Sequence, residues 1–69
     1  MKFKELEIVR TLIDFPEHGI KKNEVGTVVH IFHVPCEAYE IEFINNDGST
    51  KAEFAILPEH IELVWSPQC

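Results

Sequence analysis

Two alternating segments, "AYEIEFI" (38–44) and "TKAEFAIL" (50–57), are joined by "NNDGS" (45–49), and together they constrain the fold more than anything else in the chain. In the first, Tyr39, Ile41 and Phe43 alternate with Glu40 and Glu42; in the second, Ala52, Phe54 and Ile56 alternate with Lys51 and Glu53. Successive strand side chains point to opposite faces, so each segment has one apolar and one wet face. Asn and Asp beside Gly supply the positive φ angles that tight hairpin turns need. The pattern predicts an antiparallel hairpin.

The other segments add three strands. "LEIVRTLI" (6–13) is dense in β-branched and aliphatic residues and is broken by Pro16 and Gly19 in "FPEHG". "GTVVHIFH" (26–33) reads as a second strand, with Gly26 placed where the backbone bends or another strand approaches closely. Pro58 cannot donate to a ladder, so "PEH" (58–60) predicts a single 3₁₀ turn before a last short strand at 62–65. The tail "SPQC" is expected to fray. A longer first loop, a tight third turn and a helical turn before the fifth strand predict an all-β, five-stranded SH3-like barrel. An OB-fold usually needs a longer chain and a helix where only five turn residues stand here.

A chain of 69 residues has room for one domain, residues 1–69, with a small core. Twelve acidic residues against six basic ones give a net charge of −6. A polyanion is repelled by such a surface, so no nucleic-acid partner is expected. No apolar run approaches the roughly 20 residues that span a bilayer, and "MKFKELEIVR" is charged where a signal peptide is apolar, which points to a cytoplasmic protein without a membrane partner. Two cysteines, Cys36 and Cys69, suit a reducing compartment, and a bridge between them is not expected.

"PEHGIKKNEVGTVVHIF", "AYEIEFINNDG" and "LPEHIELV" together resemble a bacterial family of short proteins known as a domain of unknown function, along nearly the whole chain from Phe3 to Val64. The resemblance implies a small SH3-like fold and carries over no activity, cofactor or catalytic residue. Asn23 stands where that family usually has glycine; asparagine tolerates the same left-handed conformation, so the turn is expected to survive. "VGTVV" also looks like segments of KOW-type RNA-binding domains, but those use basic loops that this acidic chain lacks.

His30, His33 and Cys36 form an H-x-x-H-x-x-C pattern of zinc-ligand types. Strand positions three apart face opposite sides, so the pattern converges only around a bulge, and no metal or other cofactor is expected. Glu37, Glu40, Glu42 and Glu53 are expected to form an acidic outer column that solubilises the hairpin. Carboxylates do acid and base work in a cleft that separates their pKa values, and with no nucleophile motif either, no enzyme is expected.

In an SH3-like barrel the first loop, the loop after the second strand and the turn before the fifth converge on the ligand-binding side. That would gather Phe15, His18, His33, Pro58 and His60 as a partner-binding set, with Pro35 and Cys36 nearby. Exposed loop histidines without a common role are the commoner case. Binding of a protein or peptide partner is still the sharpest function these residues suggest, and the polyproline-binding signature of SH3 domains is absent. Trp65 either closes the end of the barrel or lies half exposed. In the latter case Ile44, Val64 and Trp65 would be contacts of a homo-oligomer. An antitoxin-like role beside a basic toxin is a further alternative, suited to the acidic charge.

Overall fold

A computed structural model describes residues 2–67. Five strands, β1 (Ile8–Thr11), β2 (Val25–Phe32), β3 (Ala38–Ile44), β4 (Thr50–Ile56) and β5 (Ile61–Trp65), form one antiparallel sheet in the order β4-β3-β2-β1-β5. The chain is therefore all-β, with the strand layout expected from its sequence, and 3₁₀ turns at Pro16–His18 and Pro58–His60.

The hairpin of β3 and β4 has the predicted alternation. Tyr39, Ile41 and Phe43 are buried, and Ile41 lies opposite Phe54 in register. Its turn places Gly48 at φ 90°, and Asp47 accepts from the backbone N–H and hydroxyl of Ser49.

β2 is shared between neighbours: its first residues pair with β1, and from Thr27 onward it pairs with β3. Gly26 sits at this handover. A Cβ there would lie 2.6 Å from Ile41 Cγ2 and 2.9 Å from the Glu42 carbonyl oxygen, so the strands approach more closely than any side chain allows.

β1 is shorter than the apolar run that predicts it. Leu6 adopts φ 72° in a turn, and beyond Thr11 the chain bends at 12–13, where the Leu12 N–H still donates in register to the carbonyl of His60, the last residue of the 3₁₀ turn before β5. Thr11, fully buried, donates its hydroxyl to the Lys21 carbonyl and accepts from the Glu24 N–H, which ties the end of the first loop to β1. Asn23 takes φ 75°, the left-handed conformation that asparagine tolerates.

The core joins Val9, Val28, Tyr39, Ile41, Phe43, Ile56 and Ile61 from the strands with Phe3 and Ile20 from outside them. Phe3 packs edge-on against Tyr39 at 5.2 Å between centroids. The Tyr39 hydroxyl accepts from the Lys2 and Phe3 N–H groups and donates to the Glu37 carboxylate. Burial raises the Tyr39 pKa, aided by that carboxylate, and the same hydrogen bond lowers the pKa of Glu37. Residues 2 and 3 are thereby pinned across the start of β3.

Candidate functional site

The first loop is built, and it is not an open connection. Phe15 and Ile20 bridge each other through both backbone N–H groups, and the Pro16–His18 turn forms the tip. Proline pre-sets φ for the first position of that turn, and Gly19 closes it at φ 70°. The bridge sends Ile20 inward to the core and leaves the Phe15 and His18 rings facing β4.

Those rings meet Phe54. His18 stacks on it at 3.7 Å between centroids and 7° between planes, and Phe43 lies beyond it at 5.6 Å and 24°. Phe54 is thus layered between a buried ring and an exposed one. Phe15 packs edge-on to Phe54 at 5.2 Å and reaches His60 at 6.2 Å. Such offset and edge contacts are worth about 0.5–1.5 kcal/mol each beyond the area they bury. The half-buried Pro58 opens the turn that ends at His60. A groove of about 400 Å³ runs beside the first-loop turn, lined by Asp14, Pro16, Gly19, Ile20 and Lys21.

The loop has a second tie to β4. Lys51 Nζ lies 2.9 Å from Glu24 Oε1, and this bond, together with the Lys21 N–H donated to Glu24, lowers the Glu24 pKa. The pair is part-exposed and screened, so it contributes little beside the rings.

Of the residues singled out in the sequence, Phe15, His18, Pro58 and His60 share this neighbourhood. His33 is exposed on the β2–β3 connection, where its described relation is to Glu37, and no ring contact joins it to the others among the described residues. Phe54 was missed because its alternation marks it as a core-facing strand residue. The tripeptide Pro-Glu-His, which occurs at both 16–18 and 58–60, each time as a 3₁₀ turn ending in a histidine, marks the two turns and not the ring between them.

Ile44 and the pair Val64 and Trp65 are each about half exposed but do not form one patch, because β2 and β1 separate β3 from β5 in the sheet. Trp65, at 56% exposure, is the half-exposed residue of the two alternatives and not part of the core. Among the described residues no three His, Cys, Asp or Glu side chains gather as a metal site; the His30 ring packs edge-on to Phe32, and Cys36 is exposed. Cys69, and with it the question of a bridge to Cys36, lies outside the described residues.

On the outer face of the hairpin Glu42 stands opposite Glu53, with Glu40 beside them, while Glu37 turns away to Tyr39 and Lys2. Burial raises the Glu40 pKa first, and the Glu53 carboxyl raises it further. A carboxyl with a raised folded-state pKa favours folding at low pH and loses that contribution as pH rises through the folded value. Like charges opposed across strands cost about 0.2–1 kcal/mol. Glu53→Gln is therefore expected to stabilise the protein by about that amount at neutral pH, with the gain fading as pH falls through the raised Glu40 value, which lies above the ordinary glutamate value of about 4.3. Urea titrations at neutral and acid pH check this, and a gain undiminished in acid would contradict it.

A family described as Domain of unknown function (DUF4926) matches residues 5–63. No curated protein and no solved structure matches the chain. No helix among the described residues is long and apolar enough to cross a membrane.

Proposed function

The chain belongs to the DUF4926 family, and we propose that it works as a non-enzymatic binding module that docks a protein or peptide segment on the ring-bearing face of its first loop. The observation that carries this reading is the layered contact of Phe43, Phe54 and His18. It anchors an exposed loop to the core and presents a flat imidazole, with Phe15, Pro58 and His60 beside it, next to an apolar groove. Rigid rings with polar edges supply contact area at low entropic cost, which suits recognition. Catalysis is not part of the proposal, because Glu40, the carboxyl whose pKa is raised, lies on the outer face of the hairpin, away from the ring-bearing loop, while Glu24 beside that loop is held ionised by Lys51. A cytoplasmic location is part of it and rests on the two-cysteine composition.

Linear peptides selected from a random display library against the immobilised protein provide the test. Fluorescence anisotropy of an enriched peptide is expected to show affinity reduced about tenfold or more by His18→Ala and unchanged by Ile44→Ser. Equal binding to the parent protein and His18→Ala, or a selection that enriches nothing, would count against the proposal.

A further inference from the structure

We infer that β5 is a self-association edge, through which two copies of the chain meet side by side and antiparallel across a twofold axis. The sheet has two edge strands, β4 and β5, and they are built differently. β4 exposes Thr50, Lys51, Glu53 and Ala55, and charge along an edge is the usual protection against further pairing. β5 exposes Leu63 (50%), Val64 (51%) and Trp65 (56%) in succession, with no charge among them. All three side chains are about half uncovered, so this half of the strand is exposed beyond its pairing with β1. The register of β5 on β1 also shifts between Ile8 and Val9, which leaves Val64 without a partner in that ladder.

Charge decides the occupant. In a chain of net charge −6 a foreign partner drawn by electrostatics is basic, and β5 offers it nothing to pair with: Glu62, the one charged residue of β5, is already bound to Arg10. An uncharged apolar edge is complementary to itself under a twofold axis, where the same patch serves both copies. It is also the edge at which two acidic molecules meet with least repulsion. The three half-exposed side chains offer apolar surface on the order of 300 Å² per copy, well below the roughly 800 Å² per partner of a standard interface, so the dimer is weak and concentration-dependent.

Sedimentation velocity across the micromolar range tests the inference on the full chain. The parent protein is expected to shift from monomer toward dimer with concentration. Val64→Glu is expected to raise the dissociation constant about tenfold or more, and Ile44→Ser to leave it unchanged. Because a β5 variant can also lose stability, amide chemical shifts of the parent protein followed with concentration give a second readout, with changes expected along 61–65 and the facing part of β1. A monomer at all concentrations would overturn the inference. So would a dimer that Ile44→Ser weakens as much as Val64→Glu does, or concentration-dependent shifts confined to the first loop.

Discussion

Gly26→Ala is expected to destabilise the protein by about 1–3 kcal/mol, the usual cost of forcing extra atoms into a packed interior. The added methyl would lie 2.6 Å from Ile41 Cγ2, 2.9 Å from the Glu42 carbonyl oxygen and 3.1 Å from Phe43 Cδ2. The Ile41 methyl can rotate away only into a core where that residue is fully buried. The carbonyl cannot move without disturbing the ladder, because Glu42 pairs with Thr27, the residue after Gly26. A domain of this size has a total stability of only about 3–10 kcal/mol, so the loss is a large fraction of it. Urea denaturation followed by circular dichroism measures the change. A midpoint and slope indistinguishable from the parent protein would mean that β2 and β3 do not approach as closely at Gly26 as the structure shows.

Phe54→Ala is expected to cost about 2–4 kcal/mol, somewhat below the range for a fully buried phenylalanine because this ring is only partly covered. Its second effect separates it from Gly26→Ala. Removing Phe54 takes away the surface on which His18 stacks and against which Phe15 packs, while the backbone bonds between Phe15 and Ile20 remain, as do those of the Thr11 hydroxyl, which donates to the Lys21 carbonyl and accepts from the Glu24 N–H. Amide hydrogen exchange is therefore expected to accelerate in the first loop, at His18, Gly19 and Ile20, well before it does so in β1 and β2. Phe54→Leu should recover much of the stability and little of the loop protection, since it restores apolar volume without a ring face. Exchange that rises equally across the sheet in Phe54→Ala would show that the ring supports the core alone and does not hold the loop.

The sequence revealed most where one local rule acted without competition. The β3–β4 hairpin follows its alternation residue for residue, because one face is buried from Tyr39 to Phe43 and the turn carries its own glycine at φ 90°. Gly26 was legible for the same kind of reason, a close approach, whereas the left-handed Asn23 was legible only through the glycine that the resembled family has there. β1 was overextended, since nothing local to Leu12 and Ile13 foretells that the chain bends there, opposite the Pro58–His60 turn at which β5 begins.

The candidate site was half legible. Phe15, His18, Pro58 and His60 stand out by type and loop position, but what joins them is Phe54, whose strand alternation reads equally well as ordinary core. The cross-bridge from Phe15 to Ile20 that turns the first loop toward β4 is a backbone pairing within what reads as a polar connection. His33 was grouped with the others because an SH3-like layout would bring its connection to the same side, and loop position alone does not fix where its ring reaches.

The central claim is that the first loop, β4 and the Pro58–His60 turn make one binding face, and chemical-shift mapping of an enriched peptide on the isotope-labelled chain tests it most directly. Perturbations are expected to cluster on Phe15, His18, Phe54 and His60 and on the groove residues Asp14 to Lys21, leaving the Asn45–Ser49 turn and β5 undisturbed. Perturbations centred on β5 or on the acidic outer face of the hairpin, with the first loop unchanged, would contradict it.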